Sequence, residues 1–129
     1  MLFHVIMPIG SDPEYNQKKK LISKSASKAG ITVHFPDYCQ VNPDFDLSAT
    51  LKDLNSSHFV LADLSLERPS CYYELGLAQA MDKKIHMIAA CGTPIHQTYR
   101  RNEVNFYDNL DEMQSIVSKV ISIEVNNQS

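Results

Sequence analysis

The sequence predicts an α/β fold built on a parallel sheet, and three observations carry that prediction. Short apolar runs alternate with amphipathic stretches along all 129 residues, the signature of strand–helix–strand units. The central run, His58-Phe59-Val60-Leu61-Ala62, is apolar almost throughout, which suits a strand covered on both faces. Turn and cap signals (Pro8, Gly10, Asp12-Pro13, Gly30, Ser70, Gly92, Pro94) fall between the runs, where connections belong.

The elements follow in order. Residues 2–7 read as a buried strand that ends at Pro8-Ile9-Gly10-Ser11. Asp12-Pro13 offers an N-cap and a proline in the first helical position, with Glu14 in the first turn, and the helix stops at Gly30 after Ala29. Residues 31–35 form a second strand and 36–43 a polar loop. A helix over about 45–55 places Leu47, Leu51 and Leu54 at helical spacing. Residues 58–62 are the third strand and 63–69 a loop. Ser70 is the expected N-cap of a helix over 71–81, with Glu74 close to its start. Residues 85–89 are a fourth strand, 91–94 a loop, and 95–101 carry no clear signal. Val104-Asn105-Phe106 reads as a short fifth strand, 111–120 as a closing helix, and the tail from Asn126 as frayed.

Five strands joined by right-handed crossovers favour the strand order 2-1-3-4-5, a flavodoxin-like three-layer sandwich. With no internal repeat and no linker, 1–129 reads as a single domain. In such sheets ligands bind outside the carboxyl ends of the strands, at the switch point between strands one and three. The loops predicted to meet there are 8–12 and 63–70.

Composition narrows the function classes. A net charge of −3 and a pI near 5.9 give no electrostatic reason to expect nucleic acid or an anionic membrane as partner. The one basic run, Lys18-Lys19-Lys20, reads as the solvated face of the first helix. Three cysteines without C-x-x-C spacing (Cys39, Cys71, Cys91) argue against a disulfide framework and against zinc, and no other metal is expected. The first residues lack a basic n-region and a long apolar stretch, and no run approaches a membrane span, so a cytoplasmic protein is expected.

The chemistry-bearing residues cluster at the predicted switch point. Asp63 ends the third strand and Glu74 begins the next helix, a pair able to divide into nucleophile and acid/base partner. The plainer reading is that Asp63 caps a turn and Glu74 complements the helix dipole. Tyr72 and Tyr73 add ring surface for a base or sugar and a phenol to orient a carboxylate. One of them is expected to pack inward, because adjacent helix residues diverge by about 100°. Gly76, inside the helix at a cost of about 1 kcal/mol, marks a close approach by a ligand or, more plainly, by the sheet. The five histidines show no ligand spacing, and His4, His34, His58 and His86 read as structural. Cys71, at a helix start where a thiol pKa can fall, has no histidine in a recognisable pattern. No Walker-type or G-x-G-x-x-G loop is present, and no cofactor is called for.

Ala62-Asp63-Leu64-Ser65, followed by Pro69-Ser70-Cys71-Tyr72-Tyr73-Glu74-Leu75-Gly76-Leu77-Ala78-Gln79-Ala80, resembles the nucleoside 2-deoxyribosyltransferase-like superfamily. Met7-Pro8-Ile9-Gly10-Ser11 and Lys83-Lys84-Ile85 fit it as well. The resemblance is nearest to small bacterial TIR-like, nucleotide-binding relatives, whose centre reads ADLT…NPNVYYELGxAxA. It spans residues 2 to about 121, with specificity concentrated in the centre. It implies that Glu74 is the nucleophile that attacks the anomeric carbon of a nucleoside. It implies that Pro8, Ile9, Gly10 and Ser11 form the loop that holds a phosphate or sugar. Thr50 stands where superfamily members carry an aspartate on the second helix; the nearest carboxylates are Asp46 and Asp53, and Asp46, one turn earlier, could reach the same face. Arg68 stands six residues before Glu74, where members carry Asp or Ser; it reads as a phosphate partner or a plain loop residue, with Ser70 nearer the nucleophile.

The leading expectation is therefore hydrolysis or transfer at the N-glycosidic bond of a nucleoside, nucleotide or NAD-like substrate. Glu74, Asp63 and Tyr73 would be catalytic, and Pro8, Ile9, Gly10, Ser11, Asp46, Arg68 and Ser70 would hold the substrate. The alternative is a non-catalytic nucleotide-binding sensor or effector domain in stress or phage defence, and a third a structural domain without a pocket. The resemblance also implies a homo-oligomer, with residues 93–105, including Gln97, Arg100, Arg101 and Asn102, as the segment that reaches a partner.

Overall fold

Five short parallel strands form one sheet in the order β2-β1-β3-β4-β5, with helices on both faces, as a flavodoxin-like α/β fold requires. The computed structural model describes residues 1–36 and 45–128. Most of the polar loop expected over 36–43, with Cys39, lies outside the described residues. The elements run β1 (Leu2–Ile6), α1 (Tyr15–Ala29), β2 (Thr32–His34), α2 (Leu47–Ser56), β3 (Phe59–Asp63), α3 (Pro69–Ala80), β4 (Ile85–Ala90), β5 (Asn105–Tyr107) and α4 (Leu110–Asn127). Registers such as Val5 beside Leu61 and Ala62 beside Met87 align all the carboxyl ends on one edge.

The sheet divides the core in two, because alternate strand residues face opposite layers. Phe3, Val5, Phe59 and Leu61 pack under α1 and α4 against Ile22, Met113 and Val117. Ile6, Val60 and Ala62 pack under α2 and α3 against Leu54, Cys71 and Leu75. Among the described residues, no helix is long and apolar enough to cross a membrane.

Four local readings need correction. Helix α1 begins at Tyr15, not Pro13: the Asp12 side chain accepts from the Glu14 amide at 2.9 Å and its carbonyl from Tyr15 at 3.1 Å, which makes a turn before the helix. Helix α3 begins at Pro69, with Arg68 rather than Ser70 as N-cap, because proline fixes the φ that a first helical residue needs. Glu74 is therefore outside the first turn, which holds no acidic residue, and the dipole does not account for it. Helix α4 runs on to Asn127 instead of fraying. Its N-terminus is fixed by Asn109, whose side chain accepts from the Glu112 amide at 2.9 Å, while the Glu112 carboxylate accepts from the Asp108 amide at 2.6 Å. Its last turns are held by buried Glu124, which pairs with His86 at 2.7 Å and Lys84 at 3.0 Å.

Candidate functional site at the carboxyl edge of the sheet

The crevice at the strand ends is framed by the loop after β1 and the loop after β3. The loop after β3 is under backbone tension. Leu66 and Glu67 both adopt left-handed φ values, 66° and 47°, and each such residue costs of order 1–3 kcal/mol. What over-determines that shape is Asp63, 1% exposed. Its Oδ1 accepts from the Ser65 amide at 3.1 Å and the Ser65 hydroxyl at 2.7 Å. Its Oδ2 accepts from the Tyr107 hydroxyl at 2.9 Å and Lys18 at 3.4 Å. Ser65 Oγ also accepts from the Ala90 amide at 2.8 Å, which ties the loop to the end of β4.

Lys18 extends this network to the first loop, donating to Asp12 Oδ2 at 2.6 Å. Burial pulls its ammonium down, but Asp63 and Asp12 outweigh that and hold its pKa above the usual lysine value. Tyr107 is pushed up to about 12 by burial and then by the Asp63 charge. Lys18 is thus 3% exposed and not part of a solvated face, which corrects the reading of the basic run; Lys19 and Lys20 are exposed. The sequence pattern assigns no site role to Asp12, Lys18, Ser65 or Tyr107. Lys18 did carry a signal, since it falls in phase with Ile22, Ser25 and Ala26, the buried residues of α1.

Glu74 contrasts with all of this. It is half-buried, and among the described residues its carboxylate has no hydrogen bond or ion pair; burial raises its pKa to about 7. A carboxylate that titrates near neutrality and lacks a partner can serve as nucleophile or proton carrier. Its surroundings are read from Cys71, one helical turn back, whose thiol feels Glu74, Asp63, Ser70 and Arg68. Arg68 and Ser70 sit at the start of α3 and Glu74 in its second turn, while Asp63 ends β3. Cys71 itself is buried, its thiol pushed up to about 12 by burial and then by the Glu74 charge, so it is no thiolate nucleophile.

The remaining predicted residues take distinct positions. Tyr73 is 52% exposed and meets Phe45 edge-to-face at 5.1 Å, which brings the start of α2 beside α3. Tyr72 is the inward one of the pair; its hydroxyl accepts from the His96 amide at 3.1 Å. Asp46 caps α2, its Oδ1 accepting from the Ala49 amide at 3.0 Å. Arg68 is exposed at the start of α3, and Ser70 is exposed beside it. Pro8 is buried, Ile9 half-buried, and Gly10 and Ser11 exposed. Because α1 starts at Tyr15, Gly10 and Ser11 do not lead directly into a helix N-terminus as expected; they form an exposed turn ahead of it. Gly76 also departs from expectation: among the described residues a Cβ there would meet nothing within 4 Å, so packing on the sheet does not explain it.

Residues 95–101 fold back on their own α3. Gln79 donates to Thr98 and to the Tyr99 carbonyl, both at 3.3 Å, and Ile95 is buried in the core. Two open cavities, of about 460 and 330 Å³, lie away from Glu74, one at the start of β4 and one between α1 and α4. Among the described residues no cluster of His, Cys, Asp and Glu is placed to hold a metal ion.

No protein-family model and no curated protein sequence matches the chain. Its structure is similar to that of the Clostridium botulinum CMP N-glycosidase BcmB, with a TM-score of 0.61 and 16% identity over 92% of this chain and 99% of that one. At that identity the likeness is one of fold, over nearly the full length of both chains.

Proposed function

We propose that this chain hydrolyses the N-glycosidic bond of a nucleoside monophosphate or related nucleotide, with Glu74 as nucleophile. The observation that carries the reading is the Glu74 carboxylate: half-buried, without a partner among the described residues, and titrating at about 7 at the ligand-binding edge of the sheet. The shared fold of a CMP N-glycosidase supports it, as does the Y-E-L-G resemblance. A Glu74 oxygen bonds to the anomeric carbon as the bond to the base nitrogen breaks, and the base leaves with the electron pair and takes up a proton. Water then cleaves the glycosyl ester, releasing the sugar phosphate and returning the carboxylate. Asp63 acts here by shaping the loop, since both its oxygens are engaged. Tyr73 offers its exposed ring to the base or sugar. Gly10, Ser11 and Arg68 face the phosphate, beside Pro8, Ile9 and Ser70. The superfamily resemblance extends the proposal to a homo-oligomer, which size-exclusion chromatography tests.

A second reading is a nucleotide-binding domain without turnover. Two observations favour it: Thr50 stands in place of the second-helix aspartate, and Asp46 is engaged in capping α2. Incubation with CMP, other nucleoside monophosphates, cytidine and NAD, followed by chromatography of released base, separates the two. Release by wild type and not by Glu74→Gln supports the enzyme. If both proteins are inert across the panel, the enzyme reading fails; saturable CMP binding by calorimetry without product then supports the second.

A further inference from the structure

The buried charge triad Asp12–Lys18–Asp63 joins the loop after β1 to the loop after β3, with Lys18 on α1 reaching Asp63, 45 positions along the chain. Its side chains are 5%, 4% and 1% exposed. One ammonium between two carboxylates leaves a net negative charge in the interior, where desolvation costs several kcal/mol per ion. Apolar side chains of similar volume often stabilise a fold as well or better, so stability alone is a poor account of the triad.

Its geometry suggests another. Each carboxylate already shapes its own loop: Asp12 Oδ1 holds the Glu14 amide, and Asp63 Oδ1 holds the Ser65 amide and hydroxyl just ahead of the strained Leu66 and Glu67. Lys18 takes the second oxygen of both, from the rigid helix α1. Tyr107 shares Asp63 Oδ2 with it, and the Lys18 ammonium lies 5.5 Å from the Tyr107 ring centre. The exposed turn at Gly10 and Ser11 directly precedes Asp12.

We propose that Lys18 is a positioning residue that locks the loop after β1 to the loop after β3, so that the Gly10–Ser11 turn is held in register to receive a 5′-phosphate. The phosphate part rests on the proposed function; the coupling of the loops does not. Asp12→Asn is the gentle test, since Oδ1 still serves Glu14, Lys18 keeps Asp63, and only the tie between loops is cut. Hydrogen exchange of residues 9–14 and of 65–67 is expected to accelerate together by roughly tenfold, with the melting temperature within a few degrees of wild type. KM for CMP is expected to rise roughly tenfold with kcat nearly unchanged, and KM for cytidine to stay constant, as loss of one coupling predicts. Lys18→Met, which cuts both ties, speeds exchange in both loops further, and Lys20→Met on the exposed face changes neither.

Faster exchange in 9–14 with none in 65–67, in folded Asp12→Asn and Lys18→Met, overturns the coupling. Equal weakening of CMP and cytidine overturns the phosphate role. If wild type cleaves neither compound, calorimetric affinities for the same two ligands replace KM; the proposed activity then fails while coupled exchange still upholds the clamp.

Discussion

Asp63 and Glu74 are two carboxylates flanking one strained loop, and the fold treats them in opposite ways. Asp63 is 1% exposed and collects the Ser65 amide, two hydroxyls and a lysine. Glu74 has lost much of its water and gained no partner among the described residues, so its charge is penalised. A saturated buried carboxylate is a tie in the structure, whereas an unsatisfied one is held ready for something the chain does not itself supply. Under the proposed function, the difference puts the chemistry at Glu74 and leaves architecture to Asp63.

Substitutions should split along that line. Glu74→Gln is expected to lower base release from CMP by at least about 10⁴-fold, roughly 5 kcal/mol of barrier. Folding should survive, and at pH 8 the variant should be more stable than wild type by about 3 kcal/mol, because a penalised charge is gone. Asp63→Ala should instead destabilise by about 3–5 kcal/mol, since it leaves Lys18, Ser65 and Tyr107 facing an empty acceptor site. Chemical denaturation with the chromatographic assay reads both. Were Glu74→Gln to unfold the protein, or Asp63→Ala to leave its stability untouched, the contrast would collapse.

Acid sharpens the comparison through a third group. His4, buried with neither ring nitrogen hydrogen-bonded among the described residues, has its pKa lowered to about 4 by burial and then by His34. The unfolded chain protonates this histidine first, so stability falls as pH drops from about 6.5 to 4. Glu74 has the opposite sign: its folded pKa, about 7, exceeds the ordinary 4.5, so the folded state binds the proton first and stability rises as pH drops through that window. Each contributes about 1.4 kcal/mol per pH unit where it titrates alone. Wild-type stability should therefore be nearly flat from pH 6.5 to 4.5, while Glu74→Gln should lose about 3 kcal/mol between pH 7 and 4. Melting temperatures at five pH values suffice, and parallel curves for the two proteins would remove the burial penalty at Glu74. On the activity side, kcat/KM should fall tenfold per unit below about pH 7, as a nucleophile that must be ionised requires.

What the sequence disclosed follows from the range of each interaction. Strand order and the placement of Glu74 on the helix after β3 came from alternation and a local motif, both written in contiguous residues. Ser70 was misread as a cap because Ser and Pro69 both signal a helix start, and only backbone geometry tells which one governs. Lys18 was hidden by its neighbours: in a run of three lysines charge masks the helical phase that buries one of them. Tyr107 and Glu124 meet partners 44 and 38 residues away, and no local periodicity records such pairs. That Glu74 has no partner among the described residues was equally invisible, since a missing partner is a property of the assembled fold.

Smaller changes test how evenly the Asp63 side is saturated. Tyr107→Phe removes one donor from Asp63 Oδ2 and keeps the ring under Lys18. It should cost about 1–2 kcal/mol in denaturation, the price of one buried charge-assisted bond. A loss of the full Asp63→Ala size would mean that the network fails as a unit and is not a sum of bonds.

The smallest effect concerns Gly76, on the Glu74 helix but about 200° around it. Among the described residues nothing within 4 Å would meet a Cβ there, so alanine should fit without displacement. The change should raise stability by about 1 kcal/mol through helix propensity and a less flexible unfolded chain, or roughly 3–5 °C in melting temperature. Base release should stay within about twofold of wild type if that face meets only solvent. Lower affinity for CMP in a more stable Gly76→Ala would instead mean that the open space is occupied when ligand binds. A concentration-dependent melting temperature that the substitution abolishes would assign the space to a second copy of the chain. In either case the unfilled surface would extend from one carboxylate to a second face of the helix that carries it.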